Sequence, residues 1–387
     1  MKFADRMSRL GTETAFEVLA KARALQAQGR SVIELEIGEP DFDTPRHIIE
    51  AMKQALDSGY THYSPSAGLP DLRKAIAHDA GKRRGIELDS DMVVVTPGAK
   101  PIMFFTIMAL VNEGDEVIYP NPGFPIYESV INFVGAKPVP IRLREELDFV
   151  FDVDELAALI TPKTKLLILN SPQNPTGGVL TAEDVRRVAD LAKQHDLWVL
   201  SDEVYLNILY EGKFETLTAI DGMLERTIIL DGFSKTYAMT GWRVGYGIMP
   251  HELAAGVARL QTNSNSCTNT AVQRACIAAI SGPQDDVHTM VAEFKRRRDV
   301  IVDGLNDLPG VSCRRPRGAF YVFPNITETG KDSRFLEDYF LQEAGVATLS
   351  GTSFGKFGEG YLRLSYAASI QNIEEALRRM RAALEKL

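Results

Sequence analysis

The sequence predicts an α/β protein: a large domain with a mostly parallel seven-stranded sheet sandwiched by helices, plus a smaller α+β domain. Three observations carry this expectation. Seven short β-branched runs recur through the first two thirds of the chain, and amphipathic segments separate most of them. After about Ser281 the alternation gives way to a long helical pattern followed by closely spaced strands. Length agrees, because 387 residues suggest two or three domains with a sizeable core. With 45% apolar and 25% charged residues the composition is ordinary for a globular protein.

In chain order, a helix is expected around Ala15 to Ala27. The runs MVVVT, EVIYP, KPVPI, KLLILN, LWVLSD, TIILDG and RVGYGIM follow as strands. Strands alternating with crossover helices require a parallel sheet covered on both faces. The segment TAEDVRRVADLAKQH is an amphipathic helix opened by Thr181 with Asp184 three residues on, a capping-box pattern just after the Gly177-Gly178 breaker. Beyond Ser281 come the helix QDDVHTMVAEFKRRRDVIVDGLNDL, strands within GVSCRRPRGAFYVFPNI, GVATLSG and GYLRLSYA, and a terminal helix from Asn372. These boundaries divide the chain into a large domain at 45–280 and a small one made of 1–44 and 281–387. The basic run Lys295 to Arg298, flanked by Glu293 and Asp299, is expected on a solvated helix face.

Several function classes are excluded by what the sequence lacks. A net charge of −9 leaves no basic surface for nucleic acid or anionic lipid. The N-terminus MKFADRMSRLG has no apolar signal run, and the longest apolar stretch, Ile102 to Val111, is too short to span a bilayer. Cys267, Cys276 and Cys313 show no paired spacing and are expected as buried thiols in a reducing, cytoplasmic setting. The six histidines are scattered without metal-ligand spacing, so no metal is expected. Neither a phosphate-binding GxxxxGK[ST] nor a complete dinucleotide fingerprint occurs. Gly351-Thr352-Ser353-Phe354-Gly355 fits a nucleophile elbow, but no histidine follows it, so it is expected to be a glycine-rich turn.

Polar residues cluster instead just past the expected strand ends, where a doubly wound sheet binds its ligand. After MVVVT, Gly98, Ala99 and Lys100 lead into an apolar helix whose free N–H groups and dipole suit an anion. After KLLILN comes Asn170-Ser-Pro-Gln-Asn174-Pro-Thr-Gly-Gly178. Asp202, Val204 and Tyr205 follow LWVLS, with Asp202 placed 28 residues after Asn174. Ser234 and Lys235 follow TIILDG, and Arg243 stands eight residues after Lys235.

In this order and spacing the chain resembles the class I aminotransferases of the pyridoxal-phosphate fold-type I (aspartate aminotransferase) superfamily. The resemblance runs from Ile37-Gly-Glu-Pro-Asp-Phe42 through SDEVY and SKTYAMTGWRVG to Tyr361-Leu-Arg-Leu-Ser-Tyr366. It implies pyridoxal 5'-phosphate as the cofactor. Lys235 would form a Schiff base with the cofactor aldehyde and later shuttle a proton, which an amine can do. Asp202 would pair with the pyridine nitrogen and keep it protonated. Tyr205 and Asn174 would hydrogen-bond the phenolic oxygen. Ser234, Arg243 and the N–H groups of Ala99 and Lys100 after Gly98 would hold the phosphate. Gly232 stands where many members carry a further hydroxyl, which removes one phosphate hydrogen bond. Phe124 would stack on the ring and Val204 would cover its other face. Tyr63 would reach the phosphate of a neighbouring subunit, implying a homodimer with shared active sites. Arg363 would clamp the substrate's α-carboxylate, with Asn174 and the backbone of Gly38 beside it.

The activity so implied is ping-pong exchange of an amino group between an L-amino acid and a 2-oxo acid. A lyase or synthase on the same fold would keep the same cofactor residues. A noncatalytic regulator would need a DNA-binding extension, and the resemblance runs from near residue 1 to near residue 387 without room for one. By resemblance, Lys100 approaches the distal carboxylate of a dicarboxylate substrate. Glu13 and Ala15, however, stand where hydroxyls would be expected, and a carboxylate at Glu13 would repel a dicarboxylate or neutralise Lys100. The expectation is therefore glutamate/2-oxoglutarate as one pair, with a neutral donor such as alanine or an aromatic amino acid as the other.

Overall fold

The structure is a computed structural model and describes residues 3–387. After a 3-10 turn, α1 (Ala15–Ala27) coincides with the expected helix, and β1 (Ile33–Glu34), α2 (Arg46–Asp57) and α3 (Pro70–Arg84) follow. The main sheet is built from β2 (Val93–Thr96), β3 (Glu116–Asn121), β4 (Lys137–Arg144), β5 (Val150–Phe151), β6 (Thr164–Asn170), β7 (Trp198–Asp202), β8 (Thr227–Gly232) and β9 (Gly245–Ile248). Its order is β2-β9-β8-β7-β6-β3-β4-β5. Pairing is parallel from β8 through β7, β6 and β3 to β4, whereas β9 runs antiparallel to both of its neighbours.

All seven expected runs form strands. The eighth, β5, is a two-residue addition that folds back on the edge of β4 through residues 145–149, where Asp148 and Phe149 adopt positive φ. So short a strand has no alternation to betray it.

The connecting helices are α4 (Lys100–Leu110), α5 (Ile126–Phe133), α6 (Val153–Leu159), α7 (Ala182–Gln194), α8 (His251–Asn265) and α9 (Thr270–Ser281). Alternate residues of one strand feed opposite layers, as the pleat demands. Leu166 and Ile168 join the apolar cluster with α4, α5 and α8, while Leu167 and Leu169 join the one with α1, α6 and α7. The capping box at α7 is complete: Thr181 accepts from the Asp184 N–H while the Asp184 carboxylate accepts from the Thr181 N–H.

Beyond α9, the long α10 (Asp285–Asn306) leads to β10 (Tyr321–Val322), α11 (Ser333–Tyr339), β11 (Val346–Ala347), β12 (Leu349–Ser350), β13 (Leu362–Ser365) and α12 (Ile370–Leu384). The strands β10-β13-β12 form a second, antiparallel sheet, and β11 pairs in parallel with β1. The terminal helix begins two residues earlier than expected because Ser369 caps it, accepting from the Asn372 N–H at 3.2 Å. Gly351–Phe354 is a 3-10 turn, in line with the expected glycine-rich turn.

Two expectations need correction. Arg297 and Arg298 do not lie on a solvated face; both are buried. Besides their local pairs with Glu293 and Asp299, Arg297 pairs with Asp41 at 2.6 Å and Arg298 with Glu211 at 3.0 Å, so each guanidinium gains a second counter-charge from a distant segment. Among the thiols, Cys276 and Cys313 are buried, but Cys267 is partly exposed in the turn between α8 and α9.

Candidate active site

The carboxyl ends of β2, β3, β6, β7 and β8 point to one edge of the main sheet, and the second sheet approaches the same edge. Between them lies a cavity of about 540 Å³. Gly38, Ala99, Lys100, Phe124, Asn174, Asp202, Val204, Tyr205, Ser234, Lys235, Arg243 and Arg363 all line it. Of the other expected site residues, Gly98 sits behind Arg243. Tyr63 lies outside the cavity and is 90% exposed.

Lys235 stands in the loop between β8 and β9, whose ends are held together by the Gly232–Gly245 pairing. Its ammonium donates to the Gly38 carbonyl at 2.5 Å and lies 5.8 Å from the centre of the Phe320 ring. Desolvation pushes its pKa down to about 8; Glu39 opposes the shift, and Arg363, Arg243 and Lys100 add to it. An amine so lowered is more readily deprotonated near physiological pH, the form a nucleophile or base needs.

Asp202 closes β7 and is buried. Tyr127 donates its hydroxyl to one carboxylate oxygen at 2.5 Å, and the Val204 N–H approaches the other at 3.3 Å. Burial raises its pKa to about 7, with Asp231 and Glu203 adding to the rise. A cationic partner in the cavity would restore the ionised form.

On the opposite wall, Tyr205 and Tyr321 share a hydrogen bond at 2.7 Å, and burial pushes the Tyr205 phenol well above its usual range. Arg363, on β13 and only 4% exposed, donates to the Asn174 side-chain oxygen at 3.2 Å and to the main-chain carbonyl of Glu36. Its guanidinium also stacks between Tyr321 and Phe354, 4.6 and 4.8 Å from the ring centres. Among the described residues it forms no ion pair.

The remaining corner is a cradle for an anion. Gly98 has φ +84°, and a Cβ there would overlap the Arg243 guanidinium. A Cβ at Gly245 would lie 2.5 Å from the Ala99 nitrogen, so the start of α4 can rest directly on β9. At Gly232 a Cβ would lie 3.1 Å from the Gly245 Cα, a tight contact between neighbouring strands. Ser234 and Arg243 face the same corner, and Arg243 is fixed by a hydrogen bond to the Thr240 carbonyl at 2.9 Å.

At the mouth, Lys100 pairs directly with Glu13 and lies 5.3 Å from the Phe124 ring centre. Phe124 itself meets Tyr127 edge-on at 5.6 Å.

Sequence reasoning gave no role to Tyr127, Tyr321, Phe354 or Glu36. Tyr127 was visible only as an aromatic within NPGFPIY, and Tyr321 as a strand residue of the second sheet. Their positions explain a glycine as well, because a Cβ at Gly38 would overlap the Tyr321 hydroxyl. Among the described residues no group of three His, Cys, Asp or Glu side chains is placed to hold a metal, and no helix is long and apolar enough to cross a membrane.

Comparison with known proteins agrees with this geometry. The family described as "Aminotransferase class I and II" matches residues 30–380. The chain is 44% identical to an aspartate aminotransferase of Pyrococcus abyssi, over 92% of each chain. It is 42% identical to aromatic-amino-acid aminotransferase 2 of Thermococcus litoralis, over 93% of this chain and 94% of that one. The crystal structure of an aspartate aminotransferase from Rhizobium meliloti superposes with a TM-score of 0.96 at 37% identity, covering 100% of both chains. With a lysine and an arginine of this kind facing one cavity on this fold, the chain belongs to the class I and II aminotransferases.

Proposed function

We propose that this aminotransferase exchanges amino groups between glutamate/2-oxoglutarate and a neutral L-amino acid, alanine or an aromatic one, by ping-pong chemistry. The observation that carries the reading is Arg363, a buried guanidinium with only neutral hydrogen-bond partners, facing the same cavity as the low-pKa Lys235. A buried guanidinium to which no carboxylate is hydrogen-bonded is costly, and a substrate α-carboxylate would supply that direct partner.

Enzymes of this family use pyridoxal 5'-phosphate, and the residues present fit it: an anion cradle at Gly98–Lys100, Ser234 and Arg243, and a buried carboxyl at Asp202. When bound, the cofactor supplies an aldehyde that condenses with amines and a pyridine ring that withdraws electrons from the substrate's Cα. Lys235 would hold the aldehyde at rest, yield to the substrate amine, and then move the Cα proton as a base. Asp202, held by Tyr127 and the Val204 N–H, would keep the ring nitrogen protonated. Tyr205 and Asn174 would donate to the phenolic oxygen, with Phe124 and Val204 on the two ring faces. Arg363, with Asn174 and the Gly38 backbone nearby, would fix the carboxylate so that the Cα–H bond stands across the ring plane.

Residues 45–280 would then hold the cofactor, while 1–44 and 281–387 bring the carboxylate clamp. The 90% exposure of Tyr63 supports a homodimer in which it serves the partner's phosphate, working in the cytoplasm. Sedimentation should show a dimer, and a fully active monomer would overturn the shared site.

The side-chain end of the substrate would meet Lys100, whose pairing with Glu13 weakens it as a receptor for a second carboxylate and so favours neutral groups. Assays of glutamate, alanine and aromatic donors against 2-oxoglutarate and pyruvate test this. Transfer from glutamate and from a neutral donor is expected, and transfer from aspartate alone would overturn it. In the same assays Lys100→Ala should raise KM for 2-oxoglutarate about tenfold more than for pyruvate, since only the former has a distal carboxylate. Equal losses would make Lys100 a structural residue.

A further inference from the structure

Glu36 is the least explained polar side chain in the protein. It is wholly buried, and among the described residues no other residue hydrogen-bonds either carboxyl oxygen; the two have only Glu36's own N–H to turn to. Buried polar groups are almost always paired, so such an orphan calls for a physical reason. Its backbone is not idle. The Glu36 carbonyl accepts from Arg363, and the neighbouring Leu35 is pinned on both sides, its N–H to the Ala347 carbonyl at 3.0 Å and its carbonyl to the Ser365 N–H at 2.7 Å. The carboxyl group is thus one side chain's length from the main-chain atom that holds the clamp. The clamp has an orphan of its own, because Arg363 Nε is buried without an acceptor. Each residue thus carries a buried polar atom without a partner, and across this desolvated place the two side chains act on each other electrostatically.

We propose that Glu36 is a positioning residue for Arg363, the alternate counter-charge of the clamp: ionised while no carboxylate is bound there, and protonated from solvent when one binds. This rests on the reading of Arg363 as the α-carboxylate clamp.

The balance of charge is simple. With a substrate carboxylate on Arg363, an ionised Glu36 would make two negative charges for one buried positive charge, so one of them must be neutralised. The substrate cannot be, and Glu36 takes one proton from water. The charged groups around Glu36 set where this happens. Burial raises its pKa to about 7, Glu34 on its own segment adds to the rise, and Arg363 from β13 and Arg23 from α1 oppose it. A bound carboxylate raises it further. Carboxylate affinity should therefore be full below about pH 7 and fall as pH rises, each bound ligand costing the uptake of one proton.

The test uses holoenzyme and 3-phenylpropionate, a carboxylate with neither amino nor oxo group, titrated between pH 6.5 and 8.5. Other groups around the cofactor exchange protons as well, so the comparison is between the wild type and E36Q, which differ only at Glu36. The ratio of wild-type Kd to E36Q Kd should rise at least about tenfold across this range. Calorimetry in two buffers of different ionisation heat should give the wild type close to one more proton taken up per ligand than E36Q. E36M, which keeps the volume without charge, should behave as E36Q does. Parallel pH profiles and equal proton counts would overturn the proposal, since a merely structural carboxyl would alter stability and leave the slope alone. Every sample carries pyridoxal 5'-phosphate in excess, so weaker retention of the cofactor by a variant leaves the comparison decisive. Absence of amino transfer by the wild type would instead remove the reading of the site itself.

Discussion

Lys235→Ala should abolish transamination, lowering kcat by more than about a thousandfold, because one side chain would serve as both the cofactor's anchor and the proton carrier. Among the described residues its ammonium makes one hydrogen bond, to the Gly38 carbonyl, and no ion pair, so the folded state loses little. Circular dichroism and the thermal midpoint of the cofactor-free protein should be close to those of the wild type. The visible absorbance of the enzyme-bound cofactor should be lost or displaced. An added primary amine of small size should restore part of the proton transfer, since the pKa of the base is what the cavity tunes. Activity within tenfold of the wild type would sink the assignment of Lys235.

Arg363→Ala should lower kcat/KM for every amino acid and every 2-oxo acid by about a hundredfold or more, because the α-carboxylate is common to all of them. Loss of one partner of a buried charge-assisted pair costs about 2–5 kcal/mol, and each 1.4 kcal/mol is a factor of ten. The loss should be similar for glutamate and alanine, which distinguishes it from the selective effect of Lys100→Ala. Arg363→Lys should recover only part of the activity, since an ammonium cannot offer the two parallel donors of a guanidinium. Unchanged kcat/KM would refute the clamp.

The strands and most of the site were legible because chemistry and topology coincide at one edge of the sheet. A residue such as Asp202 follows a run of buried apolar residues directly, so its place at the strand end could be read from the run. Lys235 and Arg243 share one short loop, and their spacing was visible as such. What could not be read depended on distant partners. The Arg297 and Arg298 pair looks like any helical charge run until Asp41 and Glu211 are brought to it. Tyr127, Tyr321 and Phe354 look like core aromatics, and only the fold shows that their polar edges or ring faces meet Asp202, Tyr205 and Arg363. The strand β5 is two residues long, below the length at which a pattern exists. The need for Gly38 arises from a tyrosine in the other sheet.

The contact between the Arg363 side chain and the Glu36 carbonyl joins residues 327 positions apart, and β1 pairs with β11 across a comparable span. Asn174, Asp202 and Lys235, by contrast, follow three consecutive strands that are neighbours in space. During synthesis the cofactor side of the site can thus take shape while the carboxylate side is still unmade, because long-range closure must wait for the last segments and is entropically slow. On the proposed reading, a ribosome-bound chain stopped short of β13 would have the lysine and the aspartate but would lack the guanidinium that grips the carboxylate.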